Sequence, residues 1–166
     1  MSKRKIDKIR LRYNFIKYRC NNPIKYPDYI NVTLCNEWLD FNVFKVWYEN
    51  NHIEGYELDK DLLRPSSNMY SPDTCCFIPK SINMLITNKR KGRHLKGTEK
   101  VSSGKFRACM KKYNKNVHLG TFDTELQAHN KYKEEKRKHI VNIADDYHNK
   151  NLISTNIYKA LLVYPL

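Results

Sequence analysis

Glycine and long apolar runs are both scarce in this chain of 166 residues. Only 5 residues are glycine while 40% are hydrophobic, a balance typical of folded proteins and unlike that of disordered tails. The longest apolar run near the C-terminus covers residues 160–164, far fewer than the ~20 residues of a membrane-spanning helix. The basic N-terminus also lacks the apolar core of a secretory signal. We therefore expect a soluble, cytoplasmic protein of one domain or two small ones, with no membrane partner.

Cysteine spacing typical of a zinc site is missing as well. No two of the five cysteines form a Cys-x2-Cys pair, and their odd number argues against a disulfide framework. We expect free thiols that pack as small apolar side chains, because disulfides are rare in cytoplasmic proteins. One alternative is a structural metal, bound where three of the cysteines converge in the fold: Cys20, Cys35 and Cys75.

Acidic side chains are nearly absent from two blocks of the chain. Residues 1–19 carry eight basic side chains and one acid, and residues 88–118 carry eleven and one. The intervening residues 20–87 carry nine acids and five basic side chains. A protein that is charged only for solubility intersperses both signs, whereas one that binds a polyanion concentrates one sign. Together with the net charge of +14, this distribution predicts nucleic acid as the partner.

Apolar spacing in the first half of the chain predicts three helices and two strands. Ile9, Tyr13 and Ile16 recur at helical intervals. Strands are predicted at 54–63 and 75–79, with a loop between them and a short helix after the second. Another helix carries an aromatic stripe that we interpret as core packing: Trp38, Phe41, Phe44, Trp47 and Tyr48.

The second half is predicted to form three strands, at 96–101, 105–112 and 116–122, with a turn at 113–115. Thr124 then caps a helix that runs to about residue 145, and a shorter helix follows in the tail. Strand residues alternate between faces, so one side of this sheet is apolar and the other cationic. The inward positions are Phe106, Ala108, Met110, Val117 and Leu119, which the helix covers with Ala128, Tyr132, Ile140 and Ile143; the outward positions are Lys105, Arg107, Cys109, Lys111, Asn116 and His118.

The sequence Leu-Gly-Thr-Phe at 119–122 precedes this helix, and Thr124, Ala128 and Tyr132 follow it at fixed intervals. Together with the preceding strands, about 50 residues resemble the DNA-binding domain of the Apetala/ethylene-response-factor (ERF) type. The resemblance implies a three-stranded sheet packed on one helix, and an outer sheet face that reads the major groove of double-stranded DNA. The candidate DNA-binding residues are Lys96, Lys100, Lys105, Arg107, Lys111, Asn116 and His118.

Four of these candidates stand at contact positions of the family. Lys96 and Lys111 stand where the plant proteins have arginine, and Asn116 and His118 where they have arginine and tryptophan. The resemblance therefore implies DNA binding but a target sequence of its own. The chain departs from the family at three further contact positions, Glu99, Val101 and Ser103.

The first half, including the stretches "LDKD" at 58–61 and "YSPDTCCFIPKSIN" at 70–83, is similar to bacteriophage and mobile-element proteins. These join an HNH-type (ββα-metal) endonuclease lobe to the same DNA-binding domain. The resemblance implies a phage or prophage origin and a bacterial host cytoplasm, with the protein on the nucleoid when bound to DNA. The expected fold class is α+β: a basic N-terminal arm and helix (1–19), a degenerate HNH-like lobe (20–87), a basic linker (88–95), the ERF-type domain (96–148) and a C-terminal helical tail (149–166).

An HNH site needs a histidine as general base at the end of its first strand, and side chains that hold a divalent cation. In this chain Lys60 stands at or beside the position of that histidine, and a protonated lysine cannot act as a base. His52 is the only histidine before residue 94 and precedes the predicted strand. We therefore expect a DNA-binding scaffold without a cofactor rather than an enzyme. The alternative is a nuclease that uses Mg2+ or Mn2+, with metal ligands among Asp59, Asp61 and Asn83 and catalytic residues among these three and Lys60.

A third class of function is also compatible with the charge distribution. The chain would then be a phage interaction protein that inhibits a host nucleic-acid-binding defence enzyme. Its basic surface would meet an acidic groove or a bound RNA, and its partner would be a host protein or ribonucleoprotein. The sequence carries no feature that fixes an oligomeric state.

Overall fold

The chain divides into two units, residues 1–83 and residues 84–166. The computed structural model describes residues 7–87, 92–113 and 115–166. Three parts of the predicted organisation lie outside the described residues: residues 1–6 of the basic arm, residues 88–91 of the basic linker, and Asn114 at the centre of the predicted 113–115 turn.

Helix α1 of the first unit spans Lys8–Cys20. The Asp7 side chain caps it by accepting hydrogen bonds from the backbone N–H groups of Ile9 and Arg10, both at 3.0 Å. Tyr13 and Ile16 are buried on one side of this helix. The helical interval predicted for these apolar residues is therefore confirmed.

Helix α2 begins later than the aromatic stripe predicted. It spans Phe41–Asn51, and Asp40 caps it. Trp38 belongs instead to a short 3-10 helix, Asn36–Leu39, because the cap at Asp40 separates the two segments. Its ring still packs edge-on against Phe44, with 5.0 Å between ring centroids. The interpretation of the stripe as core packing is therefore confirmed, and the prediction of a single helix is wrong. One buried cluster of the core comprises Tyr13, Ile16, Val32, Cys35, Trp38, Phe44, Tyr70 and Cys75.

The strands of the first unit are short. Strand β1 (Thr33–Leu34) pairs in parallel with β3 (Met69–Tyr70), which lies within the segment predicted as a loop. Strand β2 (Tyr56–Asp59) pairs antiparallel with β4 (Cys76–Pro79), and helix α3 (Lys80–Ile86) follows directly. The predicted order of strand, loop, strand and helix is therefore present, although β2 is shorter than the predicted 54–63.

The second unit is a three-stranded antiparallel sheet packed on a long helix. Strands β5 (Thr98–Lys100), β6 (Phe106–Lys112) and β7 (Lys115–Phe122) lie side by side in chain order. Helix α4 spans Glu125–Asn149, and helix α5 spans Thr155–Leu162. The mixed α+β class and the three-stranded sheet are confirmed.

Local signals around Thr124 account for the start of α4. The Thr124 hydroxyl accepts from the backbone N–H of Gln127, and the Gln127 side chain accepts from the backbone N–H of Thr124, a capping box. The helix ends four residues later than predicted. Its fully buried apolar positions include Ala128, Ile140 and Ala144, whereas the predicted Ile143 is only half-buried.

Strand β7 contains a β-bulge that the alternating pattern did not predict. Ala108 of β6 lies opposite Gly120, but the next residue, Cys109, lies opposite His118. Leu119 is therefore the extra residue of β7. Gly120 has φ of +134°, a backbone conformation that L side chains rarely adopt. Before the bulge the even-numbered residues of β7 face away from α4, and after it the odd-numbered residues do.

Candidate nucleic-acid interface

The outer face of the sheet is the side turned away from α4. Cross-strand pairs bring its side chains together: Lys111 lies opposite Asn116, and Cys109 opposite His118. Lys111, Asn116 and His118 are exposed to solvent. The sheet therefore places one cation and two hydrogen-bonding side chains from two adjacent strands on one open surface.

The bulge adds Thr121 to this surface. Because Leu119 is extra, Thr121 lies opposite Arg107 and shares the face of His118. The Thr121 hydroxyl and the His118 Nε2 atom are 3.3 Å apart, which is hydrogen-bonding distance. Thr121 was missed in the sequence, and the signal that could have identified it is Gly120, since glycine inside a strand often marks a bulge.

Two of the predicted DNA-binding cations contact carboxylates. The Arg107 guanidinium donates to the Glu99 carboxylate at 2.6 Å, and the Lys105 ammonium lies 2.8 Å from the Asp123 carboxylate. Each contact raises the pKa of its basic partner through a hydrogen bond and charge attraction. All four side chains are at least 43% exposed, so water and salt weaken these ion pairs. A phosphate group can therefore replace either carboxylate at little cost.

The remaining two predicted cations lie on the other side of the sheet. Thr98 of β5 lies opposite the inward-facing Ala108, so Lys96 and Lys100, two residues before and after, share its side. The Lys96 ammonium is 6.0 Å from the centre of the Tyr132 ring, and burial lowers the pKa of Lys96. The Lys100 ammonium is 5.9 Å from the centre of the Phe106 ring. The structure thus brings Arg107, Lys111, Asn116 and His118 together, with Lys105 at the margin.

The predicted catalytic residues of the first unit lie around the end of β2. The Asp59 carboxylate accepts from the backbone N–H groups of Asp61 and Leu62, at 2.9 and 2.7 Å, and its burial raises the pKa of this carboxyl group. The buried Lys60 ammonium contacts the Asp61 carboxylate. The Asn83 side-chain amide donates to the Glu57 carboxylate. The Asp59 carboxylate therefore closes a tight turn, and Lys60 and Asp61 are paired with each other.

His52 follows α2 and lies in an aromatic cluster. Its ring stacks on Tyr48, with 4.9 Å between centroids, and meets the edge of Phe77 at 5.2 Å. Within residues 7–87, 92–113 and 115–166, no three His, Cys, Asp or Glu side chains gather in a group that could hold a metal ion.

The cysteines are free thiols. Cys35 and Cys75 belong to the core of the first unit, and Cys20 packs against it. Burial is the main cause that raises the pKa of all three, to about 12 for Cys75. The three therefore lie in one core as protonated thiols at neutral pH, the form that packs as a small apolar group.

Across the part of the chain that the structure describes, no helix is both long enough and apolar enough to cross a bilayer. Comparison of the chain with known proteins finds no matching family model, no matching curated protein and no matching solved structure.

Proposed function

We propose that the second unit binds double-stranded DNA and places the outer face of its sheet in the major groove. The observation that carries this proposal is the pairing of Lys111 with Asn116 and of Cys109 with His118 across β6 and β7, which places three exposed polar side chains, Lys111, Asn116 and His118, on one face. Three strands about 4.8 Å apart span roughly 10 Å, which fits a groove about 12 Å wide. The likeness of residues 119–132 to the ERF-type motif supports the same docking face.

The outer face carries two kinds of side chain, one suited to backbone phosphates and one suited to base edges. Lys111, Arg107 and Lys105 are suited to phosphate, because an ammonium or guanidinium group holds a backbone phosphate whatever the sequence. Asn116 is suited to adenine, since its amide can donate and accept at the same time. The His118 ring, held near Thr121, can donate to a guanine or thymine acceptor.

A selection from a random pool of duplexes, followed by titration of a selected and a scrambled duplex, tests this division. Replacing Asn116 and His118 together with alanine should weaken binding to the selected duplex roughly tenfold or more, and change binding to the scrambled duplex much less. The matched control is Lys111→Ala on the same face, which should weaken both duplexes alike. If the two variants behave identically on both duplexes, the face does not read sequence, and if the parent binds neither, the proposal fails.

The first unit has a second candidate function, because β2, β4 and α3 follow each other in the order of an HNH-like lobe and Asp59 ends the first of these strands. We infer a degenerate lobe of phage or mobile-element type that supports DNA binding without cleavage. Two observations favour the degenerate form: Lys60, which stands at or beside the position of the general base, contacts Asp61, and the Asn83 amide nitrogen is turned to Glu57.

Nicking of supercoiled plasmid in the presence of Mg2+ or Mn2+ distinguishes scaffold from nuclease. We expect no cleavage by the parent. Metal-dependent cleavage that is lost in Asp59→Asn would establish the nuclease instead. This substitution is preferable to alanine because the asparagine oxygen can still accept the two backbone hydrogen bonds of the turn.

A further inference from the structure

A second group of cationic side chains lies in the second unit, on the side of the sheet that α4 covers. Lys136 and His139 on α4 are 9% and 4% exposed. They follow the buried Tyr132 at intervals of four and three residues, so all three share one stripe of the helix. Lys96, before β5, and Lys112, at the end of β6, approach from the sheet. We refer to Lys96, Lys112, Lys136 and His139 as the inner cationic cluster.

Aromatic rings link the members of this cluster. The Lys96 ammonium lies 6.0 Å from the centre of the Tyr132 ring, and the Lys112 ammonium 5.9 Å from that of Tyr113. The Tyr113 ring in turn meets the His139 ring edge-on, with 5.0 Å between centroids. The His139 Nδ1 atom is buried and has no hydrogen-bond partner among the described residues.

The lysines of the cluster repel one another and disfavour the charged form of His139. Burial, reinforced by the positive charge of Lys96, lowers the pKa of Lys136 to about 8. Burial, reinforced by Lys112 and Lys136, also lowers the pKa of His139. Tyr132 is neutral, since burial and the nearby Cys109 raise the pKa of its hydroxyl. The folded chain thus holds like charges close together in a partly dry environment.

No described carboxylate compensates these charges, because the acids of the second unit have partners elsewhere. Glu134 and Glu135 are the closest in sequence, and both contact Lys131 and Lys138 instead of Lys136. The other five contact groups outside the cluster: Glu99 contacts Arg107, Asp123 contacts Lys105, Glu125 contacts His94, Asp145 contacts Tyr158 and Asp146 contacts Lys150.

A simpler explanation covers only part of these observations. A lysine on the buried stripe of a helix can lay its aliphatic stem over apolar neighbours and extend its ammonium group to water. This accounts for Lys136 alone. It leaves the buried Nδ1 atom of His139 without a partner, and it gives no reason why Lys96 and Lys112 are directed to the same stripe.

We propose that the inner cationic cluster binds a phosphate group. A tetrahedral phosphate oxyanion accepts hydrogen bonds from several directions, which suits two or three ammonium groups and an imidazole N–H that approach from both helix and sheet. The group comes from a free phosphate compound or from the backbone of a nucleic acid. A duplex on the outer face lies on the opposite side of the sheet, so this site is separate from the proposed major-groove interface and does not depend on it.

Thermal unfolding of the full chain in phosphate, against chloride at equal ionic strength, tests the proposal. The melting temperature of the parent should rise with phosphate concentration, and in proportion to its logarithm once the concentration exceeds the Kd. Lys136→Met keeps the aliphatic stem and removes the charge, and it should weaken the apparent phosphate affinity roughly tenfold, the value of one charge-assisted hydrogen bond. The matched control is Lys138→Met, which removes an exposed lysine of the same helix and should leave phosphate affinity unchanged.

Two further measurements identify the source of the phosphate and exclude an indirect effect. The His139 ring signals in NMR should shift with phosphate in the parent and not in Lys136→Met. If a nucleic-acid backbone fills the site, Lys136→Met should lose more DNA affinity than Lys138→Met in phosphate-free buffer. If a free phosphate compound fills it, Lys136→Met and Lys138→Met should differ in the phosphate titrations and should bind DNA equally. Equal responses of Lys136→Met and Lys138→Met to both phosphate and DNA would overturn the proposal.

Discussion

Positive charge is placed differently on the outer and inner sides of the three-stranded sheet. On and beside the outer face, Arg107 and Lys105 are exposed to water, yet each contacts a carboxylate. On the inner side, the Lys136 ammonium is buried beside His139, yet no described carboxylate contacts either side chain, and the lowered pKa of His139 keeps its imidazole neutral. Water screens an exposed charge, whereas a buried charge needs a compensating group nearby. Stability alone would favour the reverse arrangement, and an anion from outside the chain on each side, as proposed above, would account for the difference.

The substitution Gly97→Ala should cause the largest loss of stability, and it disturbs only the inner side of the sheet. Gly97 has φ of +78°, and a Cβ atom there would lie 2.1 Å from the Tyr132 ring. Strained backbone and overpacking together should lower the free energy of unfolding by about 2–4 kcal/mol. Urea denaturation measures this loss.

The control for this substitution is Gly104→Ala, at another glycine of positive φ in the same unit. Gly104 has φ of +84°, but nothing lies within 4 Å of its Cβ position. Only the backbone strain remains, so the loss should be nearer to 1 kcal/mol. Equal losses in the two variants would show that Tyr132 can move aside, and that its contact with Gly97 does not hold the inner side in place.

An effect of intermediate size is expected in the pH dependence of the free energy of unfolding, which should depend on the buried Lys136 of the inner side. The folded protein releases the Lys136 proton near pH 8, whereas the unfolded chain holds it until about pH 10.5. The unfolded state therefore binds more protons between these values, and stability should increase as pH rises through this window, by an amount of the order of 2–3 kcal/mol. In Lys136→Met most of this gain should disappear, leaving the smaller part that the lowered pKa of Lys96 contributes, while Lys138→Met should keep it. A parent whose stability curve matches that of Lys136→Met across this window would contradict the buried charge.

The smallest effect is expected on the outer face, from Glu99→Gln. This change removes the carboxylate that Arg107 contacts and leaves an amide of the same shape. Since the ion pair is exposed, DNA affinity should rise only about two- to threefold at moderate salt. The plot of log affinity against log salt should steepen by less than the ~0.9 of one full phosphate contact. Weaker binding after this change would mean that Glu99 orients Arg107 for DNA and does not compete with it.

Much of the second unit could be predicted because its signals are local. The hydroxyl of Thr124 and the amide of Gln127 define the start of α4 within four residues, and the alternation of Ala108 and Met110 defines the buried side of β6. The side of the sheet on which Lys96 and Lys100 lie could not be predicted from the sequence, because it depends on the register between β5 and β6. That register is fixed by pairing between residues six to ten positions apart.

The errors in the first unit have a similar cause. The interval between Trp38 and Phe41 is helical, but Asp40 accepts the N–H of Asn42 and begins a new helix between them. Strand β3 consists of Met69 and Tyr70 alone, paired with a segment more than 30 residues earlier. No periodicity exists in two residues, so such a strand is defined only by its distant partner.

The single extra residue in β7 has a consequence for any redesign of the outer face. The positions that share this face are 116, 118 and 121, not 116, 118 and 120, because Leu119 shifts the alternation by one. A library that varied every second residue would place its third variable side chain at Gly120, where a Cβ atom comes within 3.0 Å of the Phe122 ring. If the same residues paired without the bulge, Phe122 would turn to the solvent and Thr121 to the core, whereas deleting Leu119 would restore simple alternation and keep Thr121 on the outer face. The bulge therefore determines the chemistry of this surface together with the identity of the residues.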